Sequence, residues 1–463
     1  MLTDFIISQI RAELPFEPNE EKYHLLKMLG DFLVSRDTDR LFLLQGYAGT
    51  GKTSMMAAMV RALNRLQQKT VLLAPTGRAA KVLSAYSGFP AYTIHKQIYR
   101  QKDMGTEQFG LSYNSLQDTL FIVDEASMIS NGGQDGVAFG TGRLLSDLIE
   151  YVYSGRNCVL FLIGDTAQLP PVGQENSPAL DKNTLECYGL KVTDFVLTQV
   201  ARQALESGIL FNATTLRNRL NEGKTKQVPQ FLTDGFADIH KITGEEMLED
   251  IEKAYREVGQ DQTMVVVRTN KRMNLYNQGI RNRILWREDL LTASDRIMVT
   301  KNNYFWTRQY EGIDFLANGD IFEVERLRGE REIYGFRFVD ASLKALDYDW
   351  EIDCILCLDT LLSESPEQNY QMQRDLFEKI ALDYPEIHSR KELVKTIMEN
   401  PYYNALHIKH AYAVTCHKAQ GGQWKRVFVD QGVINDEQLG TDYYRWLYTA
   451  LTRATEDVYL INF

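Results

Sequence analysis

The octapeptide Gly46-Tyr47-Ala48-Gly49-Thr50-Gly51-Lys52-Thr53 follows the apolar run at 41–44. It precedes Met55, Met59, Ala62, Leu63 and Leu66, which share one face at three- and four-residue spacing. A strand therefore opens through a glycine-rich turn into a helix. Gly46, Gly49 and Gly51 let the backbone N–H groups of the turn, those of Ala48 and Thr50 included, curl around a phosphate without Cβ clashes, and the helix N-terminus adds partial positive charge. Lys52 then reaches the β- and γ-oxygens, and Thr53 can ligate Mg²⁺. The pattern implies a nucleoside triphosphate.

A partner for this turn lies further along, where Leu120-Phe121-Ile122-Val123-Asp124-Glu125 ends an apolar strand in adjacent carboxylates. Asp124 can hold Mg²⁺ through water, and Glu125 can orient and deprotonate the water that attacks the γ-phosphate. In Gly164-Asp165-Thr166-Ala167-Gln168-Leu169-Pro170-Pro171-Val172-Gly173 a polar loop again follows a strand. The amide of Gln168 can bond both lytic water and γ-phosphate, while Pro170-Pro171 can equally serve a tight turn. Arg202 and Arg453 flank a second lobe. If two lobes face each other across the nucleotide, both are arginine fingers, a role worth about 10³ to 10⁵ in rate; by spacing alone each is a surface arginine.

The elements that must position these groups are short apolar runs at 70–75, 119–125 and 158–165, each ending in a polar residue, as in a buried parallel sheet. Runs at 264–269, 411–415, 427–430 and 458–463 predict a second αβ sheet. Between about 291 and 404 the texture changes to alternating strands at 296–300, 320–327, 333–340 and 350–358, with Asn318-Gly319-Asp320 as turn chemistry and a charged helical stretch at 366–400. This is a β-rich insertion. The Gly-rich segment 130–142, which has no lysine, is read as a loop insertion.

A chain of 463 residues exceeds what one core usually serves, so two to four globular units are expected. Five cysteines give no disulfide framework and fit a reducing compartment, and Cys354 with Cys357 reads as core. No apolar run approaches bilayer length, which predicts a soluble, cytoplasmic protein without membrane contact. The net charge of −11 argues against blanket binding to nucleic acid by charge alone, so any such contact is expected as a local groove. Candidate cations are Arg78 with Lys81, then Arg268, Lys271, Arg272, Arg281, Arg283 and Arg287, and finally His417, Lys418, Lys425 and Arg426; solvated helix faces remain the alternative for the middle group.

In order along the chain, these blocks resemble the motifs of superfamily 1 DNA helicases, in particular the RecD-like and Dda-like branch. Residues 46–53 look like motif I, Ala74-Pro75-Thr76-Gly77-Arg78-Ala79-Ala80-Lys81 like motif Ia, Asp124-Glu125-Ala126-Ser127-Met128 like motif II and 164–173 like motif III. The block at Arg202 looks like motif IV, Thr415-Cys416-His417-Lys418-Ala419-Gln420-Gly421 like motif V, and Tyr448-Thr449-Ala450-Leu451-Thr452-Arg453-Ala454 like motif VI. The resemblance implies an α/β fold of two RecA-like P-loop lobes. Lobe 1A would take 1–95 and 119–200, a 1B pin hairpin 96–118, lobe 2A 201–290 and 405–463, and an SH3-like 2B insertion 291–404. Asn302-Asn303-Tyr304 and Asn318-Gly319-Asp320 stand where such an insertion carries similar residues.

It further implies ATP with Mg²⁺ in the cleft, and a motor that moves 5′ to 3′ on single-stranded DNA and opens junctions with duplex. Pro75, Thr76, Thr93 and His95 would touch the strand from lobe 1A, and Thr415, His417 and Lys418 from lobe 2A. Hydroxyls, amides and single cations grip phosphates without reading bases, and His95 can stack on a base or pack inside. Two positions depart from the family: in Pro18-Asn19-Glu20-Glu21-Lys22, Glu21 or its neighbour replaces the adenine-reading glutamine, and Gln423 stands where a glutamate often meets the ribose. A monomer is compatible with this reading, as are replication or recombination partners. Rival readings are the motor subunit of a nuclease complex, a nucleotide-switched interaction protein and a small-molecule kinase.

Overall fold

The computed structural model describes residues 2–101, 109–133, 139–200, 206–310, 315–347 and 350–463. Six strands form the first sheet: β1 (Arg40–Gly46), β2 (Lys69–Ala74) and β3 (Ala91–Thr93), then, after the antiparallel pair β4 (Tyr99–Gln101) and β5 (Phe109–Leu111), β6 (Thr119–Val123), β7 (Val159–Gly164) and β8 (Lys191–Leu197). All are parallel, in the order β3-β2-β6-β7-β1-β8. Their continuous apolar runs follow from burial on both faces. Leu41, Leu43, Phe121 and Leu160 enter one core, and Phe42, Leu44, Ile122 and Phe161 enter the other. The helix Lys52–Arg65 covers the second face with Met55, Met59 and Leu63.

The second parallel sheet has the order β16-β10-β17-β18-β9, built from β9 (Ile239–Ile242), β10 (Thr263–Val267), β16 (Ala413–Thr415), β17 (Trp424–Asp430) and β18 (Ala454–Ile461). Between β10 and β16 the chain makes a closed barrel of β11 (Arg296–Val299), β12 (Ile321–Ile333), β13 (Phe336–Ala345), β14 (Glu351–Cys357) and β15 (Leu406–His410). Ile297, Phe322, Leu343, Ile352, Leu356 and Ile408 fill it. Its closing strand β15 lies past the expected boundary at 404, because the helices Pro366–Ala381 and Arg390–Met398 lead back into the barrel before the second sheet resumes. Those helices pack outside it on Phe338, Ile355 and Cys357. Cys354 and Cys357 are buried side chains of β14, and burial pushes the Cys357 thiol up to about 12.

β4 and β5 pair antiparallel within the stretch 96–118 expected to form an insertion; residues 102–108 lie outside the described residues. So do 134–138 of the Gly-rich segment, but Phe139 at its end packs edge-on against His95, 4.9 Å between ring centroids. No helix among the described residues is long and apolar enough to cross a membrane.

Candidate nucleotide and nucleic-acid site

Loops at the carboxyl ends of the first sheet's strands face the second sheet across a cleft of about 1420 Å³, walled by Lys52, Thr53, Asp124, Glu125, Gln168 and Arg453 among others. The phosphate turn leaves β1 and enters its helix through Gly51 at φ 90°, a left-handed cap that a side chain would strain. Lys52 Nζ donates to the Tyr47 carbonyl at 2.9 Å and lies 3.8 Å from Asp165 Oδ2. Asp124 and Glu125 follow β6. The Glu125 N–H donates to Asp124 Oδ1 at 2.8 Å, and Glu125 itself holds φ 53°, the kind of sparsely populated backbone found at functional sites. Burial, then the neighbouring Glu125 charge, raises the Asp124 carboxyl above its usual range.

The second lobe supplies Arg453, two residues beyond the helix Thr441–Leu451. The residue is 3% exposed, and its guanidinium lies 3.7 Å from Glu125 Oε1; Nε donates to the Thr449 carbonyl at 3.1 Å. With its amide oriented by this network, Gln168 donates to Glu125 Oε2 at 3.3 Å and accepts from Arg453 Nη2 at 3.2 Å. Glu125, Gln168 and Arg453 thus form one cluster across the lobes. Arg202 lies outside the described residues.

Two residues beside this cluster lie within the blocks 164–173 and 448–454, yet the sequence assigns neither of them a role. Tyr448 of the Thr441–Leu451 helix accepts from the Ala48 N–H at 2.7 Å and donates to Asp165 Oδ2 at 2.6 Å, joining the phosphate turn to the second lobe. Asp165 is fully enclosed, and burial raises its carboxyl. Leu169 adds two more cross-lobe bonds, its N–H donating to Thr449 Oγ1 at 3.0 Å and its carbonyl accepting from Gln420 at 2.7 Å.

Away from the phosphate, Gln423 lines the cleft and accepts from the Tyr86 hydroxyl at 3.2 Å. Glu21 is not brought to the cleft wall. Its carboxylate turns toward β8 and accepts from Thr198 N and Oγ1 at 2.8 and 2.7 Å and from Gln199 N at 3.1 Å. Asn19 caps the helix Glu20–Val34, which leaves Lys22, not Glu21, on the wall.

Of the expected strand-gripping residues, Pro75 and Thr76 follow β2, Thr93 ends β3, Thr415 ends β16, and His417 and Lys418 follow it. The two groups meet at Gly421: at φ 74°, a side chain there would come within 3.1 Å of Thr76 Oγ1 and 2.7 Å of Ala79 Cβ. The hydroxyls of Thr76 and Thr93 cap their helices by accepting from Ala79 and Lys96 N–H groups. The His95 ring packs on Tyr99 and Phe139, and burial lowers it to about 4, so it is neutral. Lys418 donates to Asn318 of the barrel, and burial draws it down to about 8.

Most of the basic residues proposed as a groove are committed to the fold. Arg78 lies over the Trp424 ring at 4.2 Å, and Lys81 reaches Asp347 of the barrel at 3.6 Å. Arg272 pairs with buried Asp430, Arg281 and Arg287 with buried Asp295, Lys425 with Glu456 and Arg426 with Glu257. Like charges clustered in sequence here turn to carboxylates within the fold, Arg272 to Asp430 and Arg281 together with Arg287 to Asp295.

Residues 32–243 match the AAA domain family and residues 410–461 the UvrD-like helicase C-terminal domain. The chain is 22% identical to the uncharacterized protein R530 of Acanthamoeba polyphaga mimivirus, covering 91% of this chain and 95% of that one. It is 25% identical to the ATP-dependent DNA helicase Dda of Enterobacteria phage T4 over 90% of this chain and 93% of that protein. To the ATP-dependent RecD2 DNA helicase of Deinococcus radiodurans it is 32% identical over 37% of this chain, spanning only 21% of that protein.

Proposed function

The chain belongs to the superfamily 1 helicases of the RecD-like and Dda-like type, and from that premise we propose that it hydrolyses ATP to move 5′ to 3′ along single-stranded DNA and open duplex ahead of it. The observation that carries this reading is the Glu125–Gln168–Arg453 cluster, formed by residues from both lobes at the wall that holds Lys52. Lys52 and the turn at 46–53 bind the phosphates. Glu125 takes the proton of the attacking water, which Gln168 orients, and Arg453, with Arg202 as its proposed companion, offsets charge on the transferring phosphoryl.

Thr53 and Asp124 fit a Mg²⁺ ion: a hydroxyl and a carboxylate whose burial favours a nearby cation, with phosphate and water oxygens completing the shell. Such an ion would neutralise the triphosphate.

The β1–β8 sheet with the β4–β5 pin is assigned as lobe 1A with 1B, and the second sheet with its barrel as lobe 2A with 2B. Pro75, Thr76, Thr93 and His95 on one lobe and Thr415, His417 and Lys418 on the other are proposed to grip the strand alternately, so closing and reopening of the cleft shifts it. Free cysteines support a reducing, cytoplasmic setting. The test is unwinding of duplexes bearing a 5′ or a 3′ single-stranded tail, with Lys52→Ala as control. Opening of the 5′-tailed substrate alone, lost in Lys52→Ala, is expected; opening of only the 3′-tailed one refutes the polarity. ATPase activity indifferent to single-stranded DNA would favour a nucleotide-switched interaction protein.

A further inference from the structure

Strand order fixes which end of the cleft meets which end of a nucleotide. Glu125 and Gln168 follow β6 and β7 on one side of β1, while Thr198 and Gln199 follow β8 on the other. The start of the helix Glu20–Val34 is tied to that second side through Glu21 on Thr198 and Gln199, and through Asn19 Nδ2 on Gln199 Oε1 at 2.7 Å. Resting on the reading that a terminal phosphate lies toward Glu125, the sugar and base point toward this wall.

Lys22 stands there in the first turn of the helix, beside Gly51, with only 4% of its surface exposed. Its ammonium lies 5.5 Å from the centre of the Phe16 ring and meets no acceptor among the described residues. The nearby acceptors are committed. Asn19 Oδ1 takes the Lys22 backbone N–H at 3.0 Å, Glu21 holds the β8 end, and Glu17 pairs with Arg11 at 2.8 Å. An enclosed cation without an acceptor is costly until a ligand brings one.

We propose that Lys22 reads the nucleotide base as a donor only, so that the site takes guanine nucleotides at least as readily as adenine nucleotides. An ammonium has three donors and no acceptor. Guanine offers two adjacent acceptors, N7 and O6, whereas adenine offers N7 beside an amino group whose hydrogens repel a cation. A glutamine in this place would satisfy both positions of adenine; a lysine satisfies both positions of guanine.

The experiment compares GTP with ATP in single-stranded-DNA-stimulated hydrolysis by the full chain, together with calorimetric titration of GDP and ADP. Expected are kcat/KM values for GTP that equal or exceed those for ATP. Lys22→Gln shifts the ratio toward ATP by about tenfold or more, and Lys22→Arg, still donor-only, leaves it in place. The diphosphate titrations give the same ranking without turnover, so failure of DNA stimulation sinks the motor reading while the base preference is still measured. A reproducible wild-type preference for adenine over guanine nucleotides overturns the proposal, as does an unchanged ratio in folded Lys22→Gln.

Discussion

The Glu125 carboxylate lies beside Arg453 and accepts from the amide of Gln168, yet it holds none of the phosphate-binding turn. Glu125→Gln keeps the shape and removes the base, so nucleotide and DNA binding should persist while turnover falls by about 10² to 10⁴. A single-turnover assay beside an equilibrium binding measurement separates the two; ordinary turnover would remove Glu125 from its role. The turn and the acidic pair were legible because their chemistry is local: glycines, a lysine and two carboxylates at fixed offsets from a strand. Tyr448 was not, because its partner Ala48 lies 400 positions away and nothing near either residue marks the pairing. Lys22 in place of Glu21 was within reach. Asn19 as a cap sets which residue of the first turn faces inward, but the choice needs the position of β8.

At the scale of elements, the Thr441–Leu451 helix brings its tyrosine to the phosphate turn and its arginine to the acid. Tyr448→Phe deletes the acceptor of the Ala48 N–H and the donor to buried Asp165, a loss of about 1 to 3 kcal/mol. Hydrogen exchange of the peptide containing Ala48 should accelerate in this variant; unchanged protection would show that the bond does not hold the lobes. The barrel offers a second test. Burial raises the Asp320 carboxyl from 3.8 to about 7, so the folded chain binds the extra proton in that window, and stability is lost as pH rises through it. Asp320→Asn still accepts from the Ala317 N–H and does not titrate, so its thermal midpoint relative to the wild type should rise between pH 5 and pH 8. A constant difference would contradict the assignment. Strands buried on both faces announced themselves as apolar runs. β8 did not: Lys191, Asp194 and Val196 on this edge strand are exposed, and β3, only three residues long, was too short to show a period.

Across the whole molecule, strand β5, proposed as part of the pin, reaches the barrel segment through rings. Phe109 lies 4.6 Å from Tyr304 and 6.2 Å from Phe315, with Phe139 between His95 and both. These contacts join segments separated by nearly two hundred residues and are remote from the cleft chemistry. Phe109→Ala should therefore leave DNA-stimulated ATP hydrolysis near wild type while unwinding drops; parallel loss of both would place the ring in general stability instead.

The junction between barrel and second sheet is closed around Asp295, which accepts from Arg281, Arg287, Thr292 and Tyr412, while β15 passes into β16 with only Ala411 and Tyr412 between them. Against the first lobe, by contrast, the barrel segment is held by the rings of Tyr304 and Phe315 on Phe109 and Phe139 and by the half-exposed Lys81 on Asp347. On the motor reading proposed above, a barrel continuous with the second sheet but only packed against the first lobe would travel with the second sheet whenever the cleft opens, and its ring contacts are the ones that would have to slip.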